Sequence, residues 1–328
     1  MIKMRDIAAA AGVSVMTVSR AFRQDGAVSA ERRAAILAVA EQMGYVFDST
    51  ASTLRSQKTG FVAVTIPSIN NGNFADTVRG LTEGLKPAGL QVLLGYTDYD
   101  MLAEEALIDA FLRRRPEAMV VTGGAHTDRA RRMLAGAGIP VVETWDLPAD
   151  PIDRVVGFSN ADAVGLMVRH FLAVGYQHIA FIGGDTQRDT RGLDRRRGFV
   201  AAMAGREYRL IDAGSPPITM KEGAVAMGRL LDDWPQVQAV ICVSDLSAFG
   251  ALGECQRRGL AVPGRVAIGG FGAFDVAGCA VPTITTVDAN AGQIGAQTAQ
   301  MIVRVLAGED APQMVGVKPR LILGGSSL

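Results

Sequence analysis

From Phe61 onward the chain alternates two hydrophobic patterns. Short runs such as FVAVTI, LQVLL, AMVVTGG, IPVVET, HIAFIGG, YRLID, VQAVICVSD and RVAIGGF are apolar at nearly consecutive positions, and the segments between them carry apolar residues at helical period. A strand that is apolar on both faces is buried on both, the condition of a parallel sheet covered by helices. The pattern therefore predicts a doubly wound α/β body. It occurs twice, with a first set ending near Phe158 and a second beginning with a helix at Asn160. Two similar parallel-sheet subdomains about a cleft are expected, one over about 60–158 and 290–317, the other over about 159–287 and 320–328. Ligands of open parallel sheets bind beyond the carboxyl ends of the strands. The segments to inspect are thus 67–74, 122–127, 145–146, 183–191, 244–245 and 272–275.

The first sixty residues read differently. Met4 to Phe22 predicts two short helices parted by a turn at Gly12, with Ile7, Ala8, Val13, Val18 and Ala21 as the apolar set. Gly12 suits a positive φ after the first helix, and Ala8 is small enough for a second helix to cross closely. Ser14 is placed to cap that helix, accepting from the backbone N–H of Met16 or Thr17 and leaving Val15 and Met16 on its first exposed turn. Such a turn is what enters a major groove in a helix-turn-helix. A third helix follows a Ser29 cap, with Ala34, Ile36, Leu37, Ala40 and Met43 as its stripe. Ala-rich helical hairpins without a nucleic-acid role share the Ala-x3-Gly-x5-Val spacing, so the spacing alone leaves both readings open. Residues 48–57, DSTASTLRSQ, are polar and by themselves read as a linker. The organisation expected is an all-α helix-turn-helix head over 1–46, a hinge or linker over 47–59 and an α/β body over 60–328.

Composition narrows the class. The 328 residues suffice for two or three units with their own cores. Cys242, Cys255 and Cys279 lie far apart without Cys-x-x-Cys spacing, no leader-like segment opens the chain, and no apolar run approaches the roughly 18 residues of a membrane span. A soluble cytoplasmic protein with no membrane role is the expectation. Acidic and basic residues balance at 33 each, yet residues 1–60 hold eight basic against five acidic, which puts the positive surplus on the head. Glycine-rich nucleotide loops, nucleophile elbows and His- or Cys-rich clusters are absent from the sequence, so no catalytic residue, metal or cofactor is expected.

DIAAAAGVSVMTVSR, with Ala11-Gly12-Val13-Ser14 followed by Thr17-Val18-Ser19-Arg20, closely resembles the first two helices of the lactose-repressor family. Val28-Ser29, Gly44-Tyr45 and Leu54 follow the family's order as well, so the resemblance extends over the whole chain. It implies a transcriptional regulator, a homodimer that sets two heads in successive major grooves of double-stranded operator DNA and senses a small molecule in its cleft. On that resemblance Ser14, Val15, Met16, Thr17 and Arg20 face the DNA, Val15 and Met16 reading base edges. Both are apolar and suited to thymine methyl groups. Leu54 falls where the family inserts a leucine into the minor groove, with Arg55 beside it tracking the groove wall. Phe47-Asp48 departs from the Pro-Asn commonly found at the entry to that hinge.

The same resemblance places Arg195, first of Arg195-Arg196-Arg197, where the family directs an arginine at the effector, and Phe74 where it uses an aromatic near the ligand. Asp245 matches an acidic position near the pocket, or caps the helix that follows it. His126 is a ligand contact or an exposed loop residue. Trp145 and Asp146 stack on and hydrogen-bond a sugar-like ligand, or pack the domain edge. Asp275 comes later after Phe271 than the family's usual aspartate, so the sugar-hydroxyl contact is missing or relocated. With IPVVE, GFSN, ECQRRGL and VP, the chain looks most like the gluconate-operon repressor branch, which implies a sugar-acid effector. The rival reading is a stand-alone sugar-binding protein of periplasmic type, disfavoured by the lack of a leader and by Met4 to Phe22.

Overall fold

Ser14 begins the second helix of the head by accepting from the Thr17 backbone N–H at 3.1 Å, directly after Gly12 turns the chain at φ +64°. The computed structural model describes residues 2–22, 28–47, 59–184 and 187–328; among them this unit holds α1 (Met4–Ala10), α2 (Val15–Ala21) and α3 (Ala30–Gln42). Ile7, Ala8, Val18, Ala21, Ile36 and Ala40 make its core. The stripe of α3 is rotated from the expected one. Ala34 is exposed and Leu37 half-buried, while Val39 and Met43 join Ile36 and Ala40. Arg33 explains the rotation, because its Nε donates to the Ala21 carbonyl at 2.9 Å and so satisfies the C-terminal end of α2. Phe47 stacks on Phe22 with ring centroids 4.8 Å apart, an aromatic anchor where the family commonly has proline.

The chain divides at Lys58, and the second unit is Thr59–Leu328. Its strands are β1 (Phe61–Ile66), β2 (Gln91–Tyr96), β3 (Ala118–Thr122), β4 (Val141–Thr144), β5 (Arg154–Gly157), β6 (Ile179–Gly183), β7 (Tyr208–Asp212), β8 (Ala239–Cys242), β9 (Ala267–Phe271), β10 (Thr285–Asp288), β11 (Met314–Gly316) and β12 (Arg320–Ile322). They form two six-stranded sheets, β2-β1-β3-β4-β5-β11 and β7-β6-β8-β9-β10-β12. Every pairing is parallel except that of β12 with β10. The chain passes between the sheets after β5, after β10 and after β11. Central strands such as β3 and β8 are buried almost throughout, whereas the edge strands β2 and β7 are partly exposed. The short β5, β10, β11 and β12 carry no run long enough to read from the sequence.

Helices cover both sheets: α4 (Gly72–Leu85), α5 (Met101–Leu112), α6 (Asp128–Ala135), α7 (Asn160–Val174), α8 (Thr190–Ala202), α9 (Met220–Asp233), α10 (Asp245–Arg257), α11 (Asp275–Cys279) and α12 (Ala291–Leu306). Among the described residues no helix is long and apolar enough to cross a membrane. Helices α4 and α12 approach so closely that a Cβ at Gly295 would collide with the Thr77 carbonyl oxygen, and one at Gly80 with the Gly292 carbonyl oxygen. Gly292 itself has open space where its Cβ would go. Gly295→Ala is expected to cost about 1–3 kcal/mol by forcing the helices apart, while Gly292→Ala is tolerated. Thermal denaturation of the two variants checks this; equal melting temperatures would contradict it.

Candidate functional site

Two surfaces hold the head candidates and Arg195. On the head, α2 presents Val15 at 46 % and Met16 at 64 % exposure. Neither packs into the core, which is filled by Val18 and Ala21 on the opposite face of the same helix. Ser14 and Arg20 are exposed beside them, and the Thr17 hydroxyl lies 2.9 Å from that of Ser14. Two apolar side chains and a guanidinium are thus held on one rigid, capped turn. Leu54 and Arg55 lie outside the described residues.

In the body, the segments that leave the strand ends meet around a cavity of about 150 Å³, whose walls include Ser68, Asn71, Tyr99, Asp189, Arg195 and Phe274. Arg195 dominates it. Its Nε donates to Asn160 Oδ1 at 3.0 Å, one Nη donates to the Val243 carbonyl at 3.0 Å, and the guanidinium lies 3.8 Å over the Phe271 ring. Burial pulls its pKa down to about 10, with the charge of Asp189 opposing that shift. Asn160 is itself buried and donates from Nδ2 to the Trp145 carbonyl at 2.9 Å. Asn160 thus fixes the aim of the arginine. Tyr99 has its pKa pushed up to about 12 by burial and by the charge of Asp189.

Helix α8 and the loop before it also reach across the cleft. Arg191 donates to the Thr122 carbonyl at 3.2 Å and Arg188 to the Asp98 carbonyl at 2.7 Å, joining the second sheet's lobe to the first. Strain gathers here as well. Asp98, Tyr99, Trp145 and Ala273 hold φ between 52° and 68°, a region that non-glycine residues adopt only where the surroundings impose it. All four follow strand ends facing the cleft.

The other candidate residues are placed as follows. Phe74 and Trp145 are buried behind the cavity, edge to face at 5.4 Å, with the Trp145 indole N–H donating to Thr77. Asp146 is half-buried next to them, its carboxyl raised by burial while its Oδ1 accepts from the Leu147 N–H. Asp245 is wholly buried and off the wall: Oδ1 accepts from the Thr286 hydroxyl at 2.6 Å and Oδ2 from the Phe274 N–H at 2.8 Å. Burial lifts its pKa to about 6 against those hydrogen bonds. Ser244, not Asp245, caps α10. Asp275 is exposed and lines a different hollow. His126 also stays off the wall, and its imidazole is almost fully enclosed, with Nδ1 2.8 Å from Glu104 and Nε2 3.6 Å from Glu143. Among the described residues no cluster of His, Cys, Asp and Glu is arranged to hold a metal ion.

Sequence reasoning missed Tyr99, Asn160, Phe271 and Thr219, the last on the cavity wall, and reached Arg191 only as the end of the segment 183–191. The strand-end rule would have reached two of them, since Tyr99 follows the run LQVLL and Thr219 follows YRLID. Asn160 carries no local sign, because its importance arises from what Arg195 and Trp145 bring to it.

Residues 3–48 match the model of the lacI family of bacterial regulatory proteins, and residues 168–327 that of a periplasmic binding protein-like domain. The HTH-type transcriptional regulator GntR of Pseudomonas aeruginosa is 35 % identical over 312 residues, spanning 94 % of this chain and 90 % of that one. The crystal structure of a lacI-family transcriptional regulator from Silicibacter pomeroyi superposes with a TM-score of 0.93 at 32 % identity, covering 99 % of each chain. A lac repressor dimer bound to operator and the anti-inducer ONPF, 19 % identical, shares the fold with a TM-score of 0.83 over 100 % of this chain and 99 % of that one.

Proposed function

Because the chain belongs to the lacI family of bacterial regulatory proteins and is a DNA-binding transcriptional regulator, we propose that it is a homodimeric repressor whose operator affinity is set by a sugar acid of the gluconate kind in the cleft of its α/β body. One observation carries the choice of an acid. Arg195 is an enclosed cation with no carboxylate within ion-pair distance among the described residues, and it borders the cavity with donor capacity to spare. A carboxylate on the ligand supplies the missing charge through charge-assisted hydrogen bonds. The hydroxyls of a polyol chain find partners in Ser68, Asn71 and Asp189 on the same wall.

On the head, Val15 and Met16 offer apolar contact to thymine methyls while Arg20 supplies charge to phosphate or a base edge. Occupancy of the cleft stabilises the closed arrangement of the lobes and so changes the geometry of the paired heads. The test is a gel-shift titration with DNA upstream of the gene at fixed salt, which must be held constant because counterion release dominates such affinities. Saturating gluconate is expected to change operator affinity by about tenfold or more, with glucose inert. Equal action by glucose, or no response to any sugar acid, would refute the acid reading and leave the regulator.

A further inference from the structure

Phe274 borders both of two neighbouring spaces, the 150 Å³ cavity holding Arg195 and a larger hollow of about 440 Å³ walled by Asn73, Asp76, Asp275, Asn290 and Gln293. Its ring folds back over Gly272, where a Cβ would lie 2.6 Å from the ring edge and 2.7 Å from the Asn73 amide nitrogen. Gly272, at φ +126°, leaves the ring room to lie there. The loop beneath is pinned from three sides: Asp245 accepts from the Phe274 N–H, Thr286 Oγ1 accepts from the Ala273 N–H at 3.2 Å, and the Phe274 carbonyl accepts from the Ala277 N–H at 2.8 Å. Asp245 has space for this role because Gly270 carries no Cβ; one there would meet Asp245 Oδ1. The backbone that carries the ring is therefore held in place, and the ring stands between the two spaces.

We propose that Phe274 is a specificity-determining wall that limits the effector to a single sugar-acid unit. The larger hollow has the chemistry to take a second, neutral sugar. Among the described residues the Asn73 side chain there has no hydrogen-bond partner, and Gln293 and the first-turn amides of α12 stand beside it. The Phe274 ring stands on the boundary between the two spaces, where a two-unit acid would have to pass. Discrimination of this kind comes from a built-in clash more than from added attraction to the smaller ligand. This inference rests on the reading of the cavity as the effector site.

The experiment is calorimetry on the full-length wild type, Phe274→Ala and Phe274→Leu with four probes: gluconate and glucose as single units, lactobionate and lactose as double units. Wild type is expected to favour the single over the double unit by about 100-fold, and Phe274→Ala to narrow that to within about tenfold by admitting the second sugar. Phe274→Leu keeps an apolar wall and is expected to hold the single-unit preference closer to wild type than Phe274→Ala does, and melting temperatures of both variants near that of wild type show that the loop still folds. Binding of a double unit by wild type as tight as that of its single unit overturns the proposal, as does a Phe274→Ala protein that gains no double-unit binding. Failure of gluconate to bind wild type, with double-unit binding gained on Phe274→Ala, would strike the sugar-acid reading and leave the wall standing.

Discussion

Arg195→Ala is expected to abolish the response to effector while leaving operator binding by the ligand-free protein unchanged. Removing one partner of an enclosed, hydrogen-bonded charge pair costs about 2–5 kcal/mol, which at 1.4 kcal/mol per decade weakens the ligand by roughly 30-fold to several thousand-fold. Lysine is a poor substitute, because a point charge cannot keep the bonds to Asn160 and Val243 and still face the ligand. Two opposing terms govern the stability of the variant. Burial disfavours the guanidinium charge, as its lowered pKa records, so deleting it relieves the fold. Against that, Asn160 and the Val243 carbonyl lose a donor, worth about 1–3 kcal/mol. The melting temperature should therefore move little while calorimetric binding disappears. A variant that binds gluconate as tightly as wild type would remove Arg195 from the effector site.

His126→Ala should produce the largest loss of stability. The imidazole lies between Glu104 and Glu143, and Glu143 is wholly buried. Burial alone would push the His126 pKa down, yet the hydrogen bond to Glu104 and the two flanking carboxylates raise it to about 9. The ring is consequently an imidazolium at neutral pH. Its deletion leaves Glu104 and Glu143 without the cation that lies between them, a loss of about 3–5 kcal/mol, or a fall of roughly 10 °C in Tm for a unit of this size. The pH dependence follows from the raised folded value. Below the ordinary histidine pKa of about 6.5 both folded and unfolded states hold the proton, and the contribution of His126 is complete. As pH climbs from there through about 9 the folded state must surrender a proton it holds tightly, and about 3 kcal/mol is lost. The gap in Tm between wild type and His126→Ala should accordingly be wide at pH 6.5 and shrink by pH 9.5. Adding Glu143→Gln to the alanine variant removes one stranded charge and is expected to recover part of the loss. A gap that does not change with pH would mean that His126 is buried neutral.

The cavity wall was legible in part. The strand-end rule points to the segments that hold Ser68, Asn71, Asp189, Ser244 and Phe274, because in a parallel sheet the direction of a strand fixes which end of it faces the cleft. Within those segments the sequence does not separate residues on the wall from residues behind it. Phe74 and Phe274 both follow a strand, yet one is buried against Trp145 and the other divides two cavities. Asp245 reads equally as a ligand contact or a helix cap, and its side chain instead anchors the loop of Phe274.

What the sequence determined by itself is local. Helix starts at Ser14 and Ser29, the turn at Gly12, the order of β-runs and helices and the doubling of that order all depend on residues a few positions apart, whose backbone preferences hold before any tertiary contact forms. The tertiary structure decided whatever joins distant stretches. His126 acquires its charge from Glu104 and Glu143, carried on a different helix and strand; Asp245 meets Thr286 across 41 residues; and Asn160 aims Arg195 from 35 residues away. Those meetings follow from the order in which strands line up in each sheet, and strand order is set by packing of the whole unit, for which no window of sequence carries a sign. The environment that turns an ordinary side chain into a buried cation, a brace or a partition is made only when each lobe packs its helices on its sheet.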